Sequence, residues 1–188
     1  MRGVECFVIA SAEPKTRPSD SNQSRSSSTR RKQLEVSRER FELVELCDHV
    51  RTDQETVDET HEVRFEASDK TIMVVADREK TEVALGNLIR NAVKFSPEGG
   101  PVFIRVRSAG PVAEVSVEDR GIGIPPEELE RIFDRFYQVD SGERRSFPGS
   151  GLGLYITKEL VQAMAGNITV TSEPGQGSTF TFTLPLIR

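Results

Sequence analysis

Asn87, Asn91 and Lys94 follow one another at steps of four and three residues. At about 100° per residue they form one stripe of a helix, nearly opposite Leu85, Leu88, Ile89 and Ala92. Two amide oxygens one helical turn apart can ligate a single hard cation such as Mg2+, which takes oxygen ligands and keeps waters and phosphate oxygens in its shell. Lys94 would meet a phosphate as a point charge. Taken alone, the stripe reads as a plain polar helix face. Two glycine motifs change that balance. In "DRGIGI", Asp119, Gly121 and Gly123 directly follow a strand pattern. A carboxylate there can accept from an exocyclic amine, at about 1.5–3 kcal/mol for a charged acceptor, and glycine lets backbone approach a ligand closely. In "GSGLGL", Gly149, Gly151 and Gly153 precede a helix pattern, and N–H groups at a helix start make a phosphate cradle. The motif is not a P-loop, because no Gly-Lys-Ser/Thr follows, and no β-α-β context supports a dinucleotide fingerprint.

The elements that must position these residues are legible from periodicity. "RERFELVELCDHVR" has Phe41, Val44, Cys47 and Val50 at steps of three and reads as an amphipathic helix, with His49 on its surface. "HEVRFEA" alternates as a half-buried strand, Ser68–Lys70 turns, and "TIMVVA" is a more buried strand. Asp77 caps a helix running to about Phe95. "PVFIRVRS" and "VAEVSVED" form a hairpin-like pair. A short helix from Glu127 to Phe133, a polar loop, a helix from about Leu152 to Ala165 and two final strands complete the order. This order predicts an α+β fold: a two-layer α/β sandwich with a mixed, mostly antiparallel sheet of about five strands and helices on one face.

The chain has 188 residues, 36% hydrophobic, and a net charge of -5. The charge is unevenly spread. Residues 1–33 hold seven Lys and Arg against three Asp and Glu, and the rest is acidic. An acidic body argues against nucleic-acid binding. No apolar run approaches the roughly 20 residues of a membrane span, so no direct membrane insertion is expected. Glu5 interrupts the short apolar start, against a secretory leader. Cys6 and Cys47 make no disulfide framework and read as reduced thiols of a cytoplasmic protein. The Ser-, Arg- and Pro-rich start cannot offset its ordering entropy. It is expected to be a disordered basic tail over residues 1–33, followed by one domain over 34–188.

"NLIRNAVKFSPEGG", "DRGIGIPPEELERIFDRFYQVD" and "GSGLGLYITKELVQAMAGNITVTSEPGQGSTFTFTLP", in that order, closely resemble the N, G1, F and G2 boxes of sensor histidine kinases. The resemblance is to their catalytic ATP-binding domain, of the Bergerat-type fold shared with gyrase, Hsp90 and MutL. It implies ATP and Mg2+ as cofactors, with Asn87 and Asn91 on the metal and Lys94 on phosphate. Asp119 would read the adenine amino group, and Gly121 and Gly123 would shape the pocket. Gly149, Gly151 and Gly153 would bind phosphates, and Thr179 would lie near adenine. Ile124 to Ser150 would be a mobile ATP lid, anchored by Phe133 and Phe136, with Arg135 and Arg144 facing the γ-phosphate. In gyrase-like relatives the residue matching Asn87 is a Glu that activates water. An amide has no basic lone pair at neutral pH, which suits a site that holds ATP for another nucleophile.

"HEVRFEA" also looks like the start of a phosphoacceptor box, but it lacks the box's Pro and alternates like a strand. His61 is therefore expected to open a strand. The resemblance then implies a histidine kinase whose acceptor histidine lies on a partner polypeptide that also carries the dimerising helical hairpin, with a response regulator downstream. An anti-sigma-factor-type serine kinase and a nucleotide-binding module without catalysis share the fold and remain open on sequence alone.

Overall fold

The computed structural model describes residues 5–6, 34–55, 60–139 and 149–187. In chain order the elements are β1 (Glu5–Cys6), β2 (Glu39–Glu42), α1 (Leu43–Glu55), β3 (His61–Ala67), β4 (Met73–Ala76), α2 (Arg78–Lys94), β5 (Gly100–Ala109), β6 (Val112–Glu118), α3 (Gly153–Ala163), β7 (Ile168–Glu173) and β8 (Gly177–Pro185). The main sheet runs β1-β7-β8-β6-β5-β3. Every neighbouring pair is antiparallel except β3 with β5. The five longer strands make the mostly antiparallel sheet expected from the pattern. The two-residue β1, within the N-terminal stretch, adds an edge that the composition of that stretch does not announce.

Alternation decides which face is buried. Val102, Ile104 and Val106 of β5, Val115 and Val117 of β6, and Phe180, Phe182 and Leu184 of β8 all point into the core. They meet Leu85, Leu88, Ile89 and Ala92 of α2 and Val161 and Met164 of α3. Burying each large side chain contributes about 1.5–3 kcal/mol. The other sheet face is polar, with Arg105 donating to Glu66 and Glu118, and Arg107 to Glu114. The result is helices on one face and charge on the other.

α2 begins where Asp77 places it. The Asp77 Oδ1 accepts from the Lys80 N–H at 3.0 Å, and Oδ2 accepts from the Ser37 N–H and the Lys80 ammonium. The first helix differs from expectation. Glu39–Glu42 is a strand paired antiparallel with β4, and α1 starts only at Leu43. The cause is Glu42, whose carboxylate accepts from the N–H groups of Val44, Glu45 and Ile72. That caps a helix start and ties it to β4's approach. Cys47 is fully buried and unpaired, and burial pushes its thiol up, so it is an inert core residue. The turn after β3 closes no hairpin, because β4 pairs with β2 and β3 lies parallel to β5. The segment expected as a helix from Glu127 to Phe133 is two single 3₁₀ turns, Pro126–Glu128 and Arg131–Phe133. Among the described residues, no helix is long and apolar enough to cross a membrane.

Candidate functional site

β6 ends at Glu118, and the next residue, Asp119, is 5% exposed. Its backbone N–H donates to the Ser178 carbonyl at 2.9 Å, and its Oδ1 accepts from the N–H groups of Gly121 (2.8 Å) and Ser178 (3.3 Å). Oδ2 carries no protein hydrogen bond among the described residues. Burial pushes the carboxyl above its ordinary value, and the two N–H donors pull it part of the way back. One acceptor oxygen of this largely buried carboxylate is left available to a ligand donor.

The turn at Gly121 has a packing reason. A Cβ there would stand 2.1 Å from the Phe95 carbonyl oxygen and 2.8 Å from Ser96 Oγ. The adjoining Ile122 N–H donates to that same carbonyl. So "DRGIGI" is pressed against the C-terminal end of α2, where the Asn-Asn-Lys stripe ends. Ser96 Oγ is buried and is the only such side-chain atom without a partner among the described residues.

The stripe itself faces as periodicity predicts: Asn87, Asn91 and Lys94 are half-buried while Leu85, Leu88, Ile89 and Ala92 are in the core. Lys94 Nζ lies 4.6 Å from the Phe95 ring centroid and has no carboxylate partner among the described residues. Burial lowers its proton affinity. Asn91 has no side-chain hydrogen bond among the described residues. Asn87 is held at both ends. Its Nδ2 faces Thr157 Oγ1 at 3.5 Å, and its Oδ1 accepts from Arg90 Nη2 at 2.5 Å. Thr157 is buried and donates to the Gly153 carbonyl, so α2 and the start of α3 are linked through Asn87.

α3 starts without a side-chain cap, leaving its first N–H groups open to an anion. Gly149 stands beside Lys94, a Cβ there lying 2.9 Å from Nζ, and a Cβ at Gly153 would meet nothing within 4 Å. Gly151 adopts φ 66°, and a Cβ would stand 2.7 Å from the Phe136 carbonyl carbon. The two ends of the intervening loop are pinned together there. The Phe136 N–H donates to the Gly151 carbonyl, and Gln138 Nε2 donates to the Gly149 carbonyl.

Several expected positions move. Thr179 alternates with buried Ser178 and Phe180 and lies opposite Glu118 and Thr171, on the polar sheet face. Ser178 is the residue beside Asp119, and its Oγ lies 3.0 Å from Ser172 Oγ. Period two, counted back from Phe180 and Phe182, would have found it. Phe133 is buried and meets Phe180 edge-on at 6.3 Å. Phe136 is 62% exposed at φ 64°, and its backbone rather than its ring meets Gly151. Arg135 is exposed, with its guanidinium over the Phe136 ring. Arg144 lies outside the described residues. Of the segment expected as a lid, residues 124–139 are seated on the body through Leu129, Ile132 and Phe133. The arginine that does touch the stripe is Arg90, which the sequence reading missed because i,i+3 contact does not reveal which side chain will turn back.

His61 opens β3, and its ring is engaged. Nε2 lies 2.9 Å from the Ser96 carbonyl oxygen and Nδ1 3.0 Å from Thr60 Oγ1. A carbonyl only accepts, so Nε2 carries a proton and donates to it. His61 fastens the edge strand to the end of α2.

These parts, a buried carboxylate after a central strand, an amide-and-lysine stripe, and an uncapped helix start behind a glycine loop, define a Bergerat-type ATP-binding domain. The family described as histidine kinase-, DNA gyrase B-, and HSP90-like ATPase matches residues 76–188. The sensor histidine kinase WalK of Bacillus subtilis (strain 168) is 42% identical over 158 residues, 82% of this chain and 26% of WalK. Mycobacterial sensor histidine kinase MprB superposes with a TM-score of 0.69 at 30% identity, over 80% of this chain and 98% of that one. Full-length ShkA in complex with AMPPNP superposes with a TM-score of 0.72 at 32% identity, over 82% of this chain and 32% of that one. The chain belongs to this family and is similar, over about four-fifths of its length, to the catalytic ATP-binding domain of sensor histidine kinases. It spans about a quarter of the WalK sequence.

Proposed function

We propose that this chain is the ATP-binding catalytic module of a two-component histidine kinase and transfers the γ-phosphate of ATP to a histidine on a partner polypeptide. The observation that carries the reading is the alignment of unspent groups along one side of α2: Asp119 Oδ2, Asn91, Lys94 and the first N–H groups of α3. A ligand with an amine at one end and phosphates at the other would satisfy all of them.

In this reading Asp119 Oδ2 accepts from the adenine amino group, and Ser96 Oγ offers a nearby polar contact. Lys94 and the α3 N–H groups hold the phosphates. Asn87 and Asn91 would hold Mg2+, which supplies charge neutralisation on the phosphate oxygens, and Arg90 would have to release the Asn87 oxygen for this. The donor set fits a hard, oxygen-preferring cation. Catalysis then rests on positioning and electrostatics. The acceptor's neutral imidazole nitrogen attacks phosphorus in line, the bond to the β,γ-bridging oxygen breaks, and ADP leaves with that electron pair. The imidazole's remaining proton goes to a base on the partner. Asn87 supplies no base, so water is not activated in the acceptor's place.

His61 is a poor nucleophile here because both ring nitrogens are engaged in a strand edge. The acceptor is assigned to a separate polypeptide with a helical hairpin, and a response regulator would take the phosphate onward. With γ-labelled ATP and Mg2+, the partner should become labelled on histidine, while this chain alone stays unlabelled and His61→Gln transfers as well as wild type. Acid-labile label on the isolated chain that disappears in His61→Gln would overturn the assignment. Label on a partner serine would move the chain to the serine-kinase branch.

A further inference from the structure

A second cluster of chemistry-bearing side chains lies on the other flank of α2 and is independent of the kinase reading. His49 and Asp53 occupy i and i+4 on α1, so they share one helix face. Glu82 projects toward them from α2. One ligand atom from each of the three lies within 4.8 Å of the others. The His49 Nε2 and an Asp53 carboxylate oxygen are 3.6 Å apart. Beside them, between the two helices, is an open cavity of about 360 Å3 lined by Asp53, Gln54, Glu79, Glu82 and Arg90.

We infer that His49, Asp53 and Glu82 form a site for a divalent transition cation of the zinc class, bridging α1 and α2. The donor chemistry selects the class. One imidazole nitrogen with two carboxylates suits zinc and its neighbours, whereas Mg2+ prefers oxygen throughout. Zinc bonds of about 2.0–2.2 Å put tetrahedral ligand atoms roughly 3.4 Å apart. The three atoms therefore need to close by little more than 1 Å, which the exposed His49 and Asp53 and the half-buried Glu82 reach by rotation about χ angles. Three protein ligands leave a fourth position open toward the cavity, where the Glu79 carboxylate and Gln54 amide supply further oxygen donors. Arg90 is the cation on the cavity wall, its guanidinium beside Gly86 and donating to Asn87 Oδ1, so its charge is already engaged by an acceptor.

Exposed carboxylates often gather without binding metal, so the imidazole and the second helix are what the test must isolate. Zinc chloride is titrated calorimetrically into the full chain, with no nucleotide, and melting is followed in parallel. One zinc per chain is expected, with a higher melting temperature. His49→Ala and Glu82→Gln should each weaken binding by about tenfold or more and remove the thermal shift. Cys6→Ser should bind as wild type does. His49 and Glu82 lie outside the core, so the metal-free melts of those two variants should match wild type. No saturable binding, binding indifferent to His49→Ala and Glu82→Gln, or displacement of zinc by comparable Mg2+ would each overturn the inference. A failure here leaves nucleotide binding untouched, because none of the three side chains belongs to the proposed ATP site.

Discussion

The two ends of the proposed nucleotide site are built on opposite principles. Around Asp119 nearly everything is already paired: two N–H donors on Oδ1, a serine pair behind, and backbone pressed on backbone at Gly121. At the other end, among the described residues, the Asn91 side chain has no hydrogen bond, Lys94 has the Phe95 ring but no carboxylate, the start of α3 has no side-chain cap, and Asn87 is held by an arginine. The first end is completed by folding and the second only by a ligand. Binding should therefore depend on the integrity of the packed end, and catalysis on the unsatisfied one.

The largest expected effect is at the open end. Asn91→Ala should lower phosphotransfer to the partner by about 10²–10³-fold, the scale of losing one preorganised electrostatic group. Its melting should change little, since such surface changes stay within about 0.5 kcal/mol. Full Mg2+-dependent activity in Asn91→Ala would end the metal assignment.

At the packed end, Gly121→Ala should cost roughly 1–3 kcal/mol of stability by overpacking. The atom it strikes is a backbone carbonyl that cannot turn aside. A denaturation midpoint equal to wild type would show that the turn has room and that the two ends are less different than the geometry says.

Asp119→Asn should keep the fold and weaken ATP binding about tenfold, the difference between a charged and a neutral acceptor. Because burial raises the carboxyl's proton affinity, wild-type affinity should begin to fall on acidification at a higher pH than an ordinary carboxylate would give. For folding the sign is opposite. A folded-state value above the unfolded one contributes stability below the unfolded value, and this is lost as pH rises through the folded value. Asp119→Asn should erase that slope, and at neutral pH it should melt no lower than wild type. Parallel melts across the acidic range check this.

The smallest effect is at the junction of the ends. Arg90→Gln should lower the Mg2+ concentration needed for half-maximal ATP binding by about fivefold, the equivalent of one exposed charge-assisted hydrogen bond. An unchanged or raised requirement would mean that Arg90 orients Asn87 rather than competing for its oxygen.

Much of this was readable residue by residue. The 3.6-residue period placed Leu85, Leu88, Ile89 and Ala92 inward and Asn87, Asn91 and Lys94 outward, and Asp77 announced the helix start. Alternation made His61 the opening of a strand. These are properties of neighbours along the chain, and local geometry alone enforces them. What local geometry leaves open is who lies across the gap. Phe41 satisfies a helical and an extended pattern equally, and pairing with β4 together with the Glu42 cap decided for a strand. Thr179 and Ser178 are both plausible beside an adenine. Alternation from Phe180 and Phe182 gives Ser178 its face, but only the β6–β8 register brings it beside Asp119 and sets Thr179 against Glu118. The exposure of Phe136 likewise depends on which loop packs alongside. Period is written into covalent spacing, whereas register and packing are settled by the summed burial of distant strands, so only the folded chain assigns partners to the faces.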